Sequence, residues 1–234
     1  MTVDTAAACR FVSEGLADIA DPEKAPAMQA YMKTDMPFYG VKKEGRAPIL
    51  RDLVREFRPD SADTYRALVL ALWSLGHREE KYMALGVARH FTAHIVPPQI
   101  DLYRRLITEG AWWDLVDEVA THLIRRLVVG YPLDAWLVVD RWIDDEDMWL
   151  RRTALICQVG AKEHTDPDRL FAFCAARAHE EGFFIRKAIG WALRDFARTD
   201  PEAVAGFIND HNVKLSGLSY REGSKHIRHL VEPR

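Results

Sequence analysis

Apolar residues recur along this chain of 234 residues at intervals of three and four positions, the spacing that places them on one face of an α-helix. Sustained alternation of apolar and polar residues, which indicates β-strands, is not found in the sequence. Three helix starts are marked by an Asp, a Pro and a further acid, beginning at Asp21, Asp166 and Asp200. The pattern predicts about a dozen helices, at 4–19, 22–33, 45–57, 62–75, 78–93, 98–108, 112–129, 133–142, 146–160, 167–178, 183–198, 201–209 and 217–230.

Short links join the predicted helices, so successive helices are expected to pack antiparallel. From about residue 62 onward they pair into hairpins of about 35–45 residues, a period typical of HEAT repeats, although the hairpins are only weakly similar in sequence. The sequence therefore predicts an all-α fold, a HEAT-like helical-repeat superhelix (an α-solenoid) with a concave face. A single domain over 1–234 is expected.

The helix predicted at 183–198 carries one aromatic ring outside its apolar face. The apolar stripe consists of Ile185, Ala188, Ile189, Ala192 and Phe196. Trp191 lies outside this stripe, in a polar arc that also contains three cations, Lys187, Arg194 and Arg198. An indole among cations fits a surface that meets a polyanion and presses a flat ring against it.

The helix predicted at 112–129 shows a related feature, because Trp113 lies at the edge of its apolar stripe and Asp117 follows one turn later. On the helix at 146–160, Arg152 lies opposite the apolar side. If these helices and the one at 183–198 are inner helices of the solenoid, Trp113, Asp117, Arg152 and Trp191 converge on its concave face. The alternative is that each Trp covers a helix–helix seam and keeps its N–H in water.

Composition alone does not indicate nucleic-acid binding, because the net charge is −3. A basic surface must therefore be local and balanced by acidic runs such as 144–147. The cysteines, Cys9, Cys157 and Cys174, are odd in number and widely spaced, which predicts no disulfide framework and a reducing, cytoplasmic location. Neither a secretion signal nor a membrane-spanning stretch is expected.

Several cofactor and catalytic motifs are missing from the sequence. It has no Gly-rich phosphate loop, no Cys-x-x-Cys pair and no Gly-x-Ser-x-Gly elbow. His90 and His94 are spaced to bind one metal ion, but they lack an obvious third ligand. No cofactor and no metal are therefore expected, and any chemistry must come from carboxylates, arginines and aromatic rings.

Three segments that carry the residues described above resemble the AlkD family of bacterial alkylpurine DNA glycosylases. They are 112–117 (WWDLVD), 149–154 (WLRRTA) and 183–194 (FFIRKAIGWALR). The segments 31–33 (YMK) and 37–42 (PFYGVK) also look like that family's N-terminal signature. The resemblance spans essentially the whole chain, and its order and spacing are more specific than any single motif. One position departs from the pattern: Tyr39 stands where the family often has an aliphatic residue.

The resemblance implies a DNA repair enzyme that hydrolyses the N-glycosidic bond of cationic N3- or N7-alkylpurines in duplex DNA. It implies a concave DNA-binding groove, no cofactor and no pocket that encloses the base. The matched positions make Asp117 the catalytic carboxylate, Trp113 and Trp191 the rings that face the sugar, and Arg152 an arginine near the DNA backbone. We expect a monomer, with backbone phosphates bound by Lys187, Arg194 and Arg198.

Two other classes of function are compatible with the residues. A non-catalytic HEAT-repeat protein that binds bent or branched DNA would need a basic groove but would not need Asp117. A helical scaffold that binds another protein would need neither, and helical-repeat folds serve many such roles. The Trp-Asp-Arg-Trp set favours the enzyme, and the salt dependence of duplex binding discriminates a phosphate-binding groove from a scaffold.

Overall fold

The computed structural model of the protein describes residues 3–233, which form helices and turns and contain no β-strand. The all-α prediction is therefore confirmed. The chain divides into two compact units, one up to Leu102 and the other from Tyr103 onward. The expectation of one domain over 1–234 stays a prediction. Among the described residues, no helix combines the length and the apolar character that crossing a membrane requires.

The described part of the first unit, residues 3–102, contains five complete α-helices and two short 3-10 turns. Around α1, the helices α3, α4 and α5 pack together, and they bury an apolar core that includes Val12, Leu16, Leu53 and Leu68. The helices are α1 (Thr5–Ala17), α2 (Ala25–Met32), α3 (Lys43–Glu56), α4 (Ala62–Trp73) and α5 (Arg78–His90). The 3-10 turns are Thr92–His94 and Pro97–Gln99.

The second unit contains the remaining helices, and α10 lies at its centre. It packs against α7, α9, α11 and α12, while α12 packs extensively on α14. The helices are α6 (Ile100–Gly110, which begins in the first unit), α7 (Trp113–Glu118), α8 (Arg125–Gly130), α9 (Pro132–Trp142), α10 (Met148–Ile156), α11 (Pro167–Arg177), α12 (Phe183–Phe196), α13 (Pro201–Asp210) and α14 (Gly217–Gly223). A π-helix (Val119–Ile124) joins α7 to α8, and Lys162–His164 form a 3-10 turn.

Most predicted helices are observed within a few residues of their expected ends, and Asp166 and Asp200 cap α11 and α13 as predicted. Several predicted helices differ in extent from the observed ones, among them α10, which ends at Ile156 and not at 160. The helix expected from 22 begins only at Ala25, because the carboxylate of Asp21 accepts the backbone N–H of Lys24 and closes a separate turn. The helix expected at 217–230 ends at Gly223, and the chain continues as turns.

Two buried carboxylates in the first unit, Glu79 and Glu80, anchor the segment that precedes α3. Glu79 accepts the backbone N–H groups of Tyr39 (3.1 Å) and Val41 (3.0 Å). Glu80 accepts three bonds, from the hydroxyls of Ser13 (2.6 Å) and Tyr39 (3.0 Å) and from the backbone N–H of His77 (2.7 Å). We call these contacts the Glu79–Glu80 network.

Tyr39, the position that departs from the family pattern, belongs to this network. Its ring stacks on His77 with the ring centres 3.9 Å apart. Burial, reinforced by the neighbouring Glu80 carboxylate, raises the pKa of Tyr39 to about 12. The phenol therefore stays protonated and acts as a hydrogen-bond donor, a role that an aliphatic residue could not fill.

Candidate active site

The candidate site begins at the short link between α6 and α7. Ala111 has a left-handed backbone conformation (φ 36°), and its N–H bonds to the carbonyl of Ile107, which closes α6. Trp112 follows with an extended backbone, and α7 begins at Trp113. The two adjacent tryptophans therefore stand at the very start of α7, and Trp113 falls one turn before Asp117.

A π-helix begins two residues after Asp117, at Val119. The wider turn of a π-helix interrupts the regular backbone bonding, and such segments are frequent at functional sites. Here the hydroxyl of Thr121 donates to the backbone carbonyl of Asp117 at 2.7 Å. This bond stabilises the end of α7 and thus the position of the Asp117 side chain.

The Asp117 carboxylate is bound on both oxygens by the guanidinium of Arg152 on α10. Nε donates to Oδ1 at 2.8 Å and one terminal nitrogen donates to Oδ2 at 2.7 Å, a bidentate arrangement. The other terminal nitrogen donates to the backbone carbonyl of Phe184 on α12 at 2.6 Å. Arg152 therefore connects α7, α10 and α12. We call this contact the Asp117–Arg152 pair.

The Asp117–Arg152 pair is largely withdrawn from solvent, but not evenly. The Arg152 side chain is 4% exposed, whereas the Asp117 side chain is 16% exposed, so the carboxylate is the part of the pair that solvent reaches. Burial raises the pKa of Asp117, the charge on Arg152 works against this rise, and the nearby carboxylate of Asp114 adds to it. The carboxylate is thus a poorly solvated anion, fixed in position by one cation.

An aromatic cluster lies beside the pair and consists of Trp112, Trp149 and Phe184. The centres of the Trp149 and Phe184 rings are 4.8 Å apart. The centre of the Trp112 ring lies 5.3 Å from that of Phe184 and 6.0 Å from that of Trp149. The Arg152 guanidinium lies 5.8 Å from the centre of the Phe184 ring. This apolar surrounding lowers the local dielectric and strengthens the electrostatic effect of the Asp117 charge.

The two tryptophans predicted for the site are both partly exposed. Trp113 and Asp117 are four residues apart on α7, and side chains with this spacing are neighbours on a helix surface. Trp191 follows Phe184 by seven residues on α12, so both lie on the same side of that helix, about 10 Å apart along its axis. The structure thus places Trp113 on α7, the helix that bears Asp117. It places Trp191 on α12, the helix whose Phe184 carbonyl accepts a hydrogen bond from Arg152.

The three predicted phosphate-binding cations are not equally available. Lys187 Nζ donates to Oε1 of Glu222 at 2.6 Å, and Arg194 donates to the other oxygen of the same carboxylate. Arg198 is exposed, and its guanidinium lies 3.5 Å from the ring of His226. The sequence suggested that the whole polar arc of α12 faces solvent. In the structure α14 packs against the part of the arc that contains Lys187 and Arg194, so these two side chains are only partly exposed. Phosphate binding by these residues stays a prediction.

Arg152 is predicted to lie opposite the apolar side of its helix and near the DNA backbone. In the structure it contacts protein groups, and the whole residue is only 3% exposed. Its N–H groups hold Asp117 and Phe184, so it positions the carboxylate. A contact between Arg152 and a DNA phosphate stays a prediction, and burial leaves little of the guanidinium for it.

Two cavities are lined by other residues. One of about 660 Å³ in the first unit is lined in part by Tyr31, Phe38 and Tyr82, and one of about 510 Å³ in the second unit lies between Asn209 and Glu232. Neither is lined by Asp117 or by the two site tryptophans. Within residues 3–233 no three His, Cys, Asp or Glu side chains are arranged to hold a metal ion.

Sequence reasoning missed three contributors to the site: the Phe184 carbonyl, the Thr121 hydroxyl and Glu222. A backbone carbonyl has no signature in sequence, and the π-helix that places Thr121 interrupts an otherwise regular helical pattern. Glu222 lies on a different helix from the cations it binds, and no local spacing connects them.

Comparisons with known proteins concern the family and the fold of the chain. The sequence model of a family described as "DNA alkylation repair enzyme" matches residues 12–227. The structure is similar to a predicted DNA alkylation repair enzyme from Enterococcus faecalis (29% identity, 89% of this chain and 96% of that chain, TM-score 0.81). It also shares its fold with AlkD2 from Streptococcus mutans (14% identity, 86% of this chain and 98% of that chain, TM-score 0.60). No curated protein gives a significant match.

Proposed function

The chain belongs to the family of DNA alkylation repair enzymes, and we propose that it is a DNA glycosylase that hydrolyses the N-glycosidic bond of cationic N3- and N7-alkylpurines in duplex DNA. One observation carries this proposal. The Asp117 carboxylate is largely withdrawn from solvent, fixed on both oxygens by Arg152, and stands one turn from the partly exposed ring of Trp113. This is the environment in which a fixed anion acts on developing positive charge.

The proposed substrate chemistry does not require a proton donor in the site. A purine alkylated at N3 or N7 already carries a positive charge, so it leaves as a neutral base without being protonated. As the bond to the base lengthens, positive charge develops on the deoxyribose, as in other glycoside hydrolyses. Catalysis therefore requires stabilisation of a sugar cation and delivery of water to its anomeric carbon.

Asp117 supplies the anion for both tasks. Its carboxylate stabilises the sugar cation electrostatically, and a free lone pair orients the attacking water and accepts its proton. Arg152 occupies one direction of each carboxylate oxygen and so determines where the remaining lone pairs point. The aromatic cluster beside the pair limits competing solvation of the anion.

Trp113 and Trp191 supply aromatic faces for the sugar cation. The electron-rich face of an indole attracts a cation with about 0.5–2 kcal/mol per ring. Both rings are partly exposed, as contact with a substrate requires. Because the ring contacts favour the cationic sugar over the neutral one, they act on the transition state more than on the bound substrate.

Selectivity in this proposal comes from the lability of the lesion. The proposed groups act on the sugar, and we infer no pocket that encloses the base, in contrast to most enzymes that extrude a base from the duplex. Cationic lesions then react readily because their glycosidic bond is already weakened. Neutral lesions react poorly because no group protonates them as they leave.

The test is base release from a duplex with one N7-methylguanine, measured with the full chain in the presence of EDTA. We expect release from this duplex and little from matched duplexes with uracil or 8-oxoguanine. Efficient excision of the neutral lesions would contradict the proposal. Binding of the duplex without any release would favour the non-catalytic DNA-binding protein, and neither binding nor release would favour the protein scaffold.

A further inference from the structure

A single carboxylate lies between two of the cations predicted to bind DNA. Glu222 on α14 receives Lys187 on one oxygen and Arg194 on the other. A DNA phosphate offers the same arrangement, two anionic oxygens that can each accept from a separate cation. Glu222 therefore occupies the position in which Lys187 and Arg194 would hold a phosphate. We call this position the Glu222 seat.

The backbone around Gly190 allows Glu222 to reach this seat. A Cβ atom at Gly190 would lie 2.4 Å from Cβ of Glu222 and 3.1 Å from the carbonyl oxygen of Ser219. Only a glycine lets α12 and α14 approach this closely. The hydroxyl of Ser219 also donates to the backbone carbonyl of Arg186 at 3.0 Å, which fixes the register of the two helices.

The contact is accessible and exchangeable. The side chains of Lys187, Arg194 and Glu222 are 39%, 25% and 21% exposed, so solvent and an approaching polyanion reach all three. Ion pairs with this exposure contribute little net stability in water. Hydrogen bonding by Lys187 and the charges of Arg194 and Lys225 lower the pKa of Glu222, so the carboxylate is ionised at neutral pH.

We propose that Glu222 is an internal competitor of the DNA phosphate for Lys187 and Arg194, and that it limits the strength with which the protein holds any duplex. This inference rests on the DNA-binding part of the proposed function. Two cations and one carboxylate leave a local charge of one positive unit, enough to attract DNA without retaining it strongly. A repair enzyme that searches mostly undamaged DNA gains from weak, sequence-independent retention because it must leave each wrong site.

Replacing Glu222 with Gln tests the inference directly. The amide has the same shape but no charge, so both cations become available to phosphates. Each additional phosphate contact makes the slope of log K against log salt more negative by about 0.9, which corresponds to about fivefold to tenfold tighter binding at 0.1 M salt. We expect this gain for damaged and undamaged duplexes alike. Binding that is unchanged or weaker in Glu222→Gln would overturn the inference.

Glu202→Gln is the matched control, because it makes the same change in net charge at an exposed acid in the first turn of α13. We expect less than about a twofold change in its affinity, since a single exposed charge outside the Glu222 seat is screened at this salt concentration. An equal gain in both variants would show that net charge, and not the Glu222 seat, determines affinity.

A double-mutant cycle separates competition from a general loss of structure. In the wild type, Lys187→Gln should cost only part of one phosphate contact, because Glu222 competes with DNA for that lysine. In the Glu222→Gln background the same change should cost about the whole gain of one phosphate contact. Equal costs in both backgrounds would contradict the inference.

These experiments can contradict the inference about Glu222 without contradicting the proposed function, and the reverse also holds. Base release that depends on Asp117, without tighter binding by Glu222→Gln, would leave the glycosylase and remove only this inference. Tighter binding by Glu222→Gln without any base release would leave the competitor and remove the glycosylase.

Discussion

The two units each contain carboxylates that are largely withdrawn from solvent, and the way these are bound differs. In the Glu79–Glu80 network the carboxylates accept hydrogen bonds from backbone N–H groups and hydroxyls of several segments. Glu79 and Glu80 are 0% and 2% exposed. In the Asp117–Arg152 pair both oxygens are met by one guanidinium, and the Asp117 side chain remains 16% exposed.

This difference teaches how a buried acid can be recognised as structural or as available for chemistry. Bonds from backbone N–H groups and hydroxyls of three chain segments hold these segments together and engage both oxygens of each carboxylate. A bidentate ion pair fixes a carboxylate from one side and leaves its other side free. Burial by itself does not distinguish the two cases, whereas the kind of donor and the remaining exposure of the carboxylate do.

The largest effect is expected from Arg152→Met. Asp117 would then be left as a buried anion without a partner, and removing one member of a buried ion pair costs about 3–5 kcal/mol of unfolding free energy. Urea denaturation followed by circular dichroism measures this loss. Arg152→Lys should recover part of it, since a lysine restores the charge but not the bidentate geometry. A loss below about 1 kcal/mol in Arg152→Met would show that the pair does not hold α7 and α10 together.

Glu79→Gln should weaken the Glu79–Glu80 network and lower stability without a specific effect on base release. One of the two N–H donors, from Tyr39 or Val41, would face an amide NH₂ group in place of an oxygen. An unsatisfied buried donor costs about 1–3 kcal/mol of unfolding free energy. Base release, measured well below the melting temperature of the variant, should stay within about twofold of the wild type. A specific loss of base release in the folded variant would contradict a purely structural role for Glu79.

Trp113→Ala and Trp191→Ala should each slow base release with little change in the free energy of unfolding. A loss of about 0.5–2 kcal/mol of transition-state stabilisation corresponds to about twofold to thirtyfold in rate. Single-turnover kinetics on an N7-methylguanine duplex measure it. Trp→Phe at each position should retain part of the rate, because phenylalanine keeps an aromatic face. Rates that fall only in proportion to lost stability would point to packing as the role of these rings.

The smallest perturbation is a change of pH. Burial raises the pKa of Asp117 above the ordinary value of 3.8, so the carboxylate is protonated at a higher pH than an exposed aspartate. Base release should therefore fall, as pH decreases, at a pH above 3.8. Because the folded state favours the protonated form, the contribution of Asp117 to stability decreases as pH rises through this raised pKa. An acidic limb at the pH of an ordinary aspartate would contradict the account.

Much of the fold follows from local patterns in the sequence. The apolar stripe of α12 is buried as predicted, from Ile185 to Phe196, because helical periodicity and core burial are encoded within one segment. The caps at Asp166 and Asp200 are equally local. The start of α2 was not predictable from its Asp-Pro sequence, because Asp21 bonds within a turn that competes with the helix.

The candidate site was predicted only in part, because its contacts join distant segments. The resemblance identified Asp117 and Arg152, and the structure brings them together. The burial of Arg152 and its bond to the Phe184 carbonyl depend on how α10 packs against α7 and α12. The pairing of Lys187 with Glu222 depends in the same way on the approach of α14. No spacing within one helix carries that information.

The most direct test of the central claim compares the wild type with Asp117→Asn in single-turnover base release from a duplex with one N7-methylguanine, with duplex affinity measured in parallel. Asparagine keeps the size of the side chain and one acceptor oxygen but removes the charge. We predict that the rate falls by more than about a hundredfold, whereas affinity changes by less than about threefold. Comparable losses of rate and affinity would contradict the account and assign Asp117 a structural role.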